Sequence, residues 1–382
     1  MTFTFLHILT VTLLVLPLAI FGLYGIVLLY FFRKNKINRI GRIPDYQPTV
    51  TVLVPTHNEE NIIGRKIENL QASDYPQEKM ELVFVDDSTD STPRIIEDYA
   101  KKSTSIHLIH FKERKGYNPC MIAGCKSATG EILIFNDAGS LLDASTISNL
   151  VRNFEDPQIG AVTGRSVILN KNETTGQSED WYLKLSDFMR IGETNMDSTF
   201  HFNGEACAVR KDLIKGLDSC IATFDTASAL FIREKGFRTI YDPSVKFYEY
   251  TPGTHSDRIK QKVTRATNLI QILLAFKGMI FRPRYGWFGS FILPMNLSML
   301  TLVPVMIFAG VVSLIGLTFV DVSFSIVLWG LIGIVLLFSL LFSKQAIFTF
   351  IEFEYALLKA IYNVTIKKEA FDKIEKIAST RR

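Results

Sequence analysis

The sequence predicts an α/β domain with a mainly parallel sheet, held between transmembrane helices at both ends of the chain. Two apolar stretches, 5–32 and 287–343, lie near the termini. Between them, in residues 46–267, short β-branched runs alternate with helical stretches, and several of the runs end in acidic residues. Such alternation is typical of parallel strands with helices on both faces of the sheet.

The composition fits a protein that is partly embedded in a membrane. Of the 382 residues, 48% are hydrophobic, and the mean hydropathy is +0.19. The net charge of +4 is small and scattered, so no nucleic-acid partner is expected. The four cysteines lack CxxC spacing, which favours reduced, partly buried thiols over a zinc site. They are Cys120, Cys125, Cys207 and Cys220.

The first apolar stretch, 5–32, contains no charged residue and exceeds the roughly 20 residues that a transmembrane helix needs. A cleaved signal peptide fits poorly, because no basic segment precedes the stretch and no small-residue cleavage site follows it. Only basic charges come directly after it, so this end is expected in the cytoplasm and the N-terminus outside. These basic residues are Arg33, Lys34, Lys36, Arg39 and Arg42.

The second apolar block predicts two further spans, 287–320 and 322–342, separated by Asp321. The following segment, 345–362, carries three charges, which favours an amphipathic helix in the membrane interface; a third crossing is the alternative. A multi-pass protein of the cell membrane is therefore expected, with membrane lipids among its partners. The predicted divisions are 1–45 for the first helix and its basic segment, 46–267 for a cytoplasmic domain, and 268–382 for the remaining membrane-associated segments.

The middle region predicts four strands, each followed by a helix. The strands are expected at 49–54, 81–85, 106–111 and 132–135, and the helices at 60–70, 92–101, 120–127 and 145–151. Ligands of such sheets bind outside the carboxyl ends of the strands, which brings Thr56, Asp86, Asp87 and Asp137 to one rim. A dinucleotide-binding domain is rejected, because the GxGxxG turn that it requires is missing from the sequence.

The acidic residues at the strand ends suit different tasks. Asp86 and Asp87 suit hydrogen bonding to a base and a ribose, whereas Asp90 is interpreted as a helix cap. Asp137 follows a very apolar strand and is well placed to hold a divalent cation that bridges a diphosphate. Mg²⁺ commonly binds through one or two carboxylates together with substrate phosphates.

Three segments in this order resemble family 2 glycosyltransferases with a GT-A fold: VTVLVPTHNEE (50–60), VFVDDSTDST (83–92) and ILIFNDAGS (132–140). The likeness extends over essentially the whole middle region, through the segments at 160–164, 203–205, 223–225 and 235–238. The membrane segments are also similar to those of membrane-bound members, which make polysaccharides or transfer sugars to lipid carriers.

The resemblance implies a function and a set of site residues. A nucleotide sugar, UDP- or GDP-linked, is the expected donor, with Mn²⁺ or Mg²⁺ held by Asp137. Asp225 is the expected general base of an inverting displacement, and Gln261 and Arg265 are expected near the diphosphate. The implied donor-binding residues are Pro55, Thr56, Asn58, Glu59, Asp86, Asp87, Lys115 and Asp137. The implied acceptor residues are Asn203, Gly204 and Glu205.

The chain departs from the family's motifs at three places. The metal-binding DxD motif lacks its second carboxylate, since Gly139 stands there. Asp225 follows Phe224 instead of an acidic residue. The nearest equivalent of the QxxRW motif of processive synthases is Gln261 and Arg265, with one extra residue between them and no tryptophan after Arg265. Basic residues in that last segment are equally suited to anionic lipid headgroups.

Three functions remain open from the sequence. The first is a membrane-bound transferase that moves one sugar to a lipid-linked or glycan acceptor. The alternatives are a processive polysaccharide synthase and a non-catalytic scaffold that binds nucleotide sugars. His201 and His255 are interpreted as structural residues; a role as metal ligands is the alternative.

Overall fold

The computed structural model describes residues 5–34, 46–170, 174–217, 224–250, 254–342 and 344–366. Three features predicted from the sequence lie outside these ranges: the basic residues of segment 36–42, the basic tail after residue 366, and Cys220.

Eight strands form one sheet in the described part of the chain. They are β1 (Val50–Thr56), β2 (Met80–Asp86), β3 (Ile106–His110), β4 (Ile132–Phe135), β5 (Leu141–Leu142), β6 (Ile159–Ile168), β7 (Cys207–Arg210) and β8 (Arg238–Glu249). Their order across the sheet is β3-β2-β1-β4-β7-β6-β8-β5.

The α-helices of the same ranges fall into two groups. Those interspersed with the strands are α2 (Ile63–Gln71), α3 (Thr92–Ala100), α4 (Tyr117–Ser127), α5 (Thr146–Val151), α6 (Thr174–Met196) and α7 (Phe224–Glu234). The first and the last four are α1 (Phe5–Arg33), α8 (His255–Ala275), α9 (Leu293–Val320), α10 (Val322–Phe342) and α11 (Lys344–Ile366).

The predicted fold class is confirmed by the sheet. β3, β2, β1 and β4 are parallel neighbours, in the register Thr56 opposite Asp86 and Leu53 opposite Phe135. The interiors of β1, β2 and β4 are buried almost throughout, which explains why these strands are continuous apolar runs rather than alternating ones. Parallel strands present their carboxyl ends at one edge, so the residues that follow them converge there.

The second half of the sheet is less regular, and no strand is predicted beyond residue 135. β7 is antiparallel to both β4 and β6, and the short β5 pairs antiparallel with β8. β7 has only four residues and no alternation that distinguishes it from a loop, so local periodicity gives little signal there. This half places the segment before β7, residues 203–205, beside the end of β4.

Helices form at each of the predicted spans. Phe5–Arg33 and Phe288–Val320 are long and apolar enough to cross a bilayer, and Val322–Leu337 is a shorter apolar stretch. α1 packs against α9, where the Thr10 and Ser313 hydroxyls lie 2.7 Å apart and His7 Nε2 lies 3.3 Å from an Asp321 oxygen.

The boundary predicted at residue 267 lies within the continuous helix α8. This helix begins beside the end of the sheet at His255 and ends at Ala275 among the apolar residues packed around α9 and α11. The division into three regions stays a prediction.

Candidate active site

The loop after β1 is held to the loop after β2 by side chains that face inward. Asp86 is fully buried and accepts hydrogen bonds from the Thr56 hydroxyl at 2.7 Å and the Ser88 hydroxyl at 2.6 Å. His110 Nδ1 lies 2.8 Å from its other oxygen. Asn58 has a φ of 58° and its side-chain oxygen accepts from the Thr89 N–H at 3.0 Å. Both Asp86 and Asn58 therefore brace the two loops.

Asp87 connects these loops to the turn before α4. One of its oxygens accepts the backbone N–H groups of Lys115 and Gly116, each at 2.8 Å, and the other lies 2.9 Å from His57 Nδ1. Burial raises the pKa of Asp87, but these hydrogen bonds outweigh burial and hold it below its usual value. The Lys115 amine lies 3.6 Å from Glu113. Its neighbour Arg114, and not Lys115, lines the adjacent cavity at the strand ends, which is described next.

Two cavities meet at the carboxyl edge of the sheet. The first, called here the strand-end cleft, has a volume of about 500 Å³ and lies beside the loops after β1, β2 and β4. The second, called the helix-side cavity, has a volume of about 760 Å³ and extends toward α6, α8, α9 and α11. Their shared wall consists of Gly116, Tyr117, Asp137, Glu205, Glu249 and Arg265.

The cavities gather most of the predicted site residues. Those that line the strand-end cleft are Pro55, Thr56, Glu59, Asp87, Asp137, Glu205, Gln261 and Arg265. Those that line the helix-side cavity are Asp137, Asn203, Gly204, Glu205, Asp225 and Arg265. Three predicted donor-binding residues line neither cavity: Asn58, Asp86 and Lys115. The assignments of the individual residues stay predictions.

Three carboxylates concentrate negative charge where the cavities meet. Burial raises the pKa of Asp137 to about 7, and the nearby Glu205 and Asp225 add to this shift. Burial also raises the pKa of Asp225 to about 7, with a further contribution from Glu205 that the Thr226 N–H and Arg265 oppose. Such crowding of hard oxygen ligands suits a cation or a proton donor.

The described residues provide only part of the ligand shell that a divalent cation needs at this end of the site. The described residues contain no group of three or more His, Cys, Asp or Glu side chains that would enclose a metal. A cation held by Asp137 would have one protein ligand there, and substrate phosphate oxygens would complete the shell, as is common for Mg²⁺. The missing second DxD carboxylate agrees with this open arrangement.

Gly204 keeps open the space between Asp137 and Asp225. A Cβ atom at this position would lie 3.1 Å from the Tyr117 hydroxyl, 3.6 Å from Asp225 Oδ2 and 3.8 Å from Asp137 Oδ1. Asn203 fixes the segment by donating from Nδ2 to the Gly164 carbonyl at 3.2 Å. A glycine therefore lets a ligand approach both carboxylates closely.

α8 places two predicted diphosphate residues beside the strand-end cleft. Gln261 and Arg265 lie one helical turn apart and both line it. The Arg265 side chain is 59% exposed and its Nη2 atom lies 3.7 Å from Glu205 Oε1. An exposed guanidinium facing both cavities is available to an anionic ligand.

The structure adds site residues that the sequence analysis missed, notably Lys66, Tyr117 and Glu249. Lys66 is fully buried, and its amine donates to the Ser140 carbonyl at 2.6 Å, directly beyond Asp137 along the chain. The helical spacing of the sequence could have predicted the burial of Lys66, because Lys66 shares the buried face of α2 with Ile63 and Ile67. Tyr117 and Glu249 carry no local pattern that sets them apart from other residues at element ends.

The two histidines differ in their surroundings. His255 lies 2.8 Å from Glu352 of α11 and lines neither cavity, which agrees with the structural interpretation. His201 lines the helix-side cavity, where burial and then the charges of Arg190 and Arg265 lower its pKa to about 3. His201 is therefore neutral at neutral pH.

Comparison with known proteins agrees with this geometry. Residues 51–217 match the model of Glycosyl transferase family 2. The chain is 25% identical over 267 residues to the poly-beta-1,6-N-acetyl-D-glucosamine synthase of Staphylococcus aureus, and 22% identical over 265 residues to that of Staphylococcus epidermidis. Each alignment covers 67% of this chain and 64% of the relative, so the chain matches less than two thirds of these relatives' length.

A solved structure is similar over nearly the whole chain. It is a mannosyltransferase from Pyrobaculum calidifontis in complex with GDP-Man and Mn²⁺, with a TM-score of 0.76 and 26% sequence identity. The similarity covers 94% of this chain and 99% of that one. The resemblance found in the sequence motifs is thus confirmed. From residue 51 to residue 217, the chain carries a domain of glycosyl transferase family 2, on a GT-A-like α/β fold.

Proposed function

We propose that the protein is a membrane-bound inverting glycosyltransferase that moves a sugar from a nucleotide-sugar donor to a lipid-linked or glycan acceptor. The observation that carries this proposal is the meeting of two cavities beside Asp137 and Asp225. Asp137 lines both cavities, whereas Asp225 lines only the helix-side cavity. This arrangement suits a donor in the strand-end cleft and an acceptor in the helix-side cavity.

The reaction is a direct displacement at the anomeric carbon. The acceptor hydroxyl oxygen bonds to that carbon while the bond to the donor diphosphate breaks on the opposite side. Asp225 accepts the hydroxyl proton, a task for which a raised pKa near neutrality is favourable. Arg265 and Gln261 face the departing diphosphate, and the loops bearing Glu59 and Asp87 hold the nucleoside.

We propose Mn²⁺ or Mg²⁺ as the cofactor, held by Asp137. The crowding of Glu205 and Asp225 around Asp137, which Lys66 offsets only in part, supports this assignment, as does the Mn²⁺ bound in the similar mannosyltransferase. When bound, the cation supplies positive charge that stabilises the leaving diphosphate. The chain's own residues supply the nucleoside contacts, the proton acceptor and the second cationic contact at Arg265.

The donor is proposed to be a UDP- or GDP-linked sugar. GDP-Man is the ligand of the similar mannosyltransferase, whereas the staphylococcal relatives are named as synthases of an N-acetylglucosamine polymer. Those relatives favour processive synthesis as a second candidate, and the reduced QxxRW motif favours single transfer. Separation of products by size distinguishes the two: one added sugar, or a ladder.

Membrane attachment is proposed from the apolar helices. α1 exposes large apolar side chains along its length, such as Leu18 at 68% and Ile26 at 71%, and α9 exposes Phe319 at 86%. Such surfaces are stable in lipid and not in water. We propose a multi-pass protein with a cytoplasmic catalytic domain and the N-terminus outside, supported by the basic residues that begin with Arg33.

Donor turnover by the purified full-length protein tests the proposal. Release of nucleoside diphosphate is measured with a panel of UDP- and GDP-sugars in the presence of Mn²⁺ or Mg²⁺. We expect Asp225→Asn to bind the donor without turning it over and Asp137→Ala to bind it at least tenfold more weakly. Asp212→Asn is the matched control, because Asp212 is 82% exposed, pairs with Lys215 and lines neither cavity.

The outcomes separate the proposal from its alternatives. Turnover that survives both Asp137→Ala and Asp225→Asn would refute the assigned mechanism. A wild-type protein that binds nucleotide sugar and metal but turns over no donor of the panel would support the non-catalytic scaffold.

A further inference from the structure

Arg190 of α6 is a buried cation on the wall of the helix-side cavity. Its side chain is 3% exposed, Nε donates to the Ser186 hydroxyl at 3.0 Å, and the guanidinium carbon lies 4.8 Å from the centre of the Tyr241 ring. Among the described residues, no carboxylate forms an ion pair with Arg190 and its Nη1 atom has no hydrogen-bond partner. The charge of Arg190 acts on the Glu193 carboxyl of the same helix, but none of the ion pairs of the described residues includes Arg190. A buried charge without an ion-pair partner is costly, so a bound anion would stabilise this site.

The other buried arginines of the described ranges have an ion-pair partner, which Arg190 lacks. Arg233 lies 3.0 Å from Asp197, and Arg258 forms an ion pair with Glu352. Arg165, which is close to the same Tyr241 but only partly buried, lies 2.8 Å from Asp187. Arg190 is thus the buried arginine of the described chain that points into a cavity instead of at a carboxylate.

His201 adds a second polar group to the same wall. It lines the helix-side cavity and is neutral at neutral pH, so one ring nitrogen carries a hydrogen that it can donate. An arginine fork beside a neutral N–H donor matches the geometry of phosphate oxygens.

The position of Arg190 separates this site from the donor diphosphate. Arg190 lines the helix-side cavity and not the strand-end cleft, whereas Arg265 and Asp137 line both. The carboxylates nearest to the basic residues of this cavity are partly neutralised, since Lys262 lies 3.9 Å from Glu179 and Arg265 lies 3.7 Å from Glu205.

Part of the lining of the cavity is apolar. Leu269, Leu300 and Phe353 contribute to it from α8, α9 and α11, respectively. α9 belongs to a stretch that is long and apolar enough to cross a bilayer. The cavity therefore joins a phosphate-binding wall to helices that would contact lipid chains.

We infer that Arg190 and His201 form a subsite for the phosphate of an amphiphilic acceptor, a lipid phosphate or diphosphate. Its apolar chain lies along Leu269, Leu300 and Phe353. The phosphate joins this chain to a sugar, and a hydroxyl of that sugar reaches Asp225 and accepts the transferred sugar. This inference rests on the proposed transferase function and narrows the acceptor from a lipid-linked or glycan molecule to a phosphate-bearing lipid.

Binding of three probes to the purified full-length protein tests the subsite. The probes are decyl phosphate, decanol and inorganic phosphate, measured by calorimetry in one detergent. We expect decyl phosphate to bind at least tenfold more tightly than either of the others. Arg190→Met is expected to lose about tenfold in affinity for decyl phosphate, and Arg190→Lys less. Arg165→Gln is the matched control, because Arg165 lines neither cavity.

Each outcome decides the inference. Equal affinity of folded Arg190→Met and wild type for decyl phosphate would overturn it, as would decanol binding as tightly as decyl phosphate. Inorganic phosphate binding as tightly as decyl phosphate would assign the site to a free anion and overturn the lipid source. If Arg190→Met does not fold, His201→Phe must weaken decyl phosphate binding severalfold for the inference to stand.

Donor turnover without acceptor is recorded on the same preparations. Wild-type turnover with unchanged probe binding in Arg190→Met refutes the subsite alone. Absence of turnover in the wild type, with probe binding lost in Arg190→Met, refutes the transferase function and leaves a phosphate-lipid site.

Discussion

Lys66 supports Asp137 from inside the protein. Its amine lies below the loop after β4 and donates to the Ser140 carbonyl at 2.6 Å. Burial lowers the pKa of Lys66 to about 7, and the charge of Asp137 opposes this shift. A charged amine here counteracts part of the repulsion around Asp137 and also fixes the path of the loop.

Replacing Lys66 tests this support. Lys66→Met removes the donor to Ser140, so the loop and Asp137 move, and a displacement of about 1 Å in an active site costs roughly 100-fold in rate. We expect donor turnover to fall by about 10- to 100-fold. Arg65→Met is the control, since Arg65 is exposed on the same helix. Unchanged turnover in Lys66→Met would show that the loop holds its position without the amine.

The raised pKa of Asp225 predicts a pH-dependent effect on stability. Its folded-state pKa of about 7 lies above the ordinary value of 3.8, so the protonated form stabilises the fold and this contribution is lost as pH rises through about 7. The titratable and charged groups around it are Tyr117, Asp137, Glu205, Cys207 and Arg265.

The Tm of Asp225→Asn should therefore exceed that of wild type by about 5 °C at pH 8. At pH 5 the difference in Tm should be smaller. Thermal unfolding of both proteins in EDTA at the two pH values measures the difference. A Tm difference that is the same at pH 5 and pH 8 would show that Asp225 titrates normally.

At the scale of elements, a buried hydrogen-bond network joins α1, α6 and α9. Glu193 of α6 accepts from the Tyr24 hydroxyl of α1 and from Asn296 Nδ2 of α9 at 3.0 Å, while Asn296 also donates to Tyr24 at 2.7 Å. The Thr199 hydroxyl donates to the second oxygen of Glu193 at 2.5 Å. α6 leads into the acceptor segment 203–205, so this network links the apolar helices to the site.

A double-mutant cycle measures the network. Tyr24→Phe and Asn296→Leu each remove a donor from the buried Glu193 carboxylate, and each is expected to cost about 1–3 kcal/mol. The double variant should differ from the sum of the single effects by at least about 0.5 kcal/mol, because the two residues share one partner. Strict additivity in denaturant unfolding would contradict a shared network.

Close packing of α1 on α6 depends on a glycine. A Cβ atom on Gly192 would lie 2.9 Å from Leu28 Cβ and 3.0 Å from the Leu28 carbonyl oxygen, so a larger residue must push the helices apart. Gly192→Val is expected to destabilise the protein by about 1–3 kcal/mol. Gly22→Val on α1 is the control, since a Cβ atom there meets nothing within 4 Å. Equal Tm values for the two variants would contradict this packing.

At the scale of the whole molecule, the first half of the sheet and the apolar helices were predictable from the sequence. β1, β2 and β4 are mainly apolar runs that end in polar residues, and this pattern predicts Thr56, Asp87 and Asp137 at one edge. The spans were predictable because a bilayer demands long apolar helices.

The sequence does not reveal contacts between distant segments. The pairing of β7 between β4 and β6 depends on partners far apart in the chain, and it brings Glu205 to the end of β4. The burial of Asp86 depends on His110 and Thr56 together. In the sequence Arg190 resembles any other helical arginine, and only the structure shows that it is buried, that it lines a cavity and that its Nη1 atom has no hydrogen-bond partner among the described residues.

We propose that sugar transfer takes place where the two cavities meet at Asp137, next to Asp225 of the helix-side cavity. The most direct measurement is the incorporation of labelled sugar from a nucleotide sugar into product, by the full-length protein in membranes. We predict incorporation by wild type and by Asp212→Asn, and a loss of at least 1,000-fold in Asp225→Asn, whose donor binding is retained. That loss is of the order expected when a general base is removed. Equal incorporation by Asp225→Asn and wild type would contradict the account.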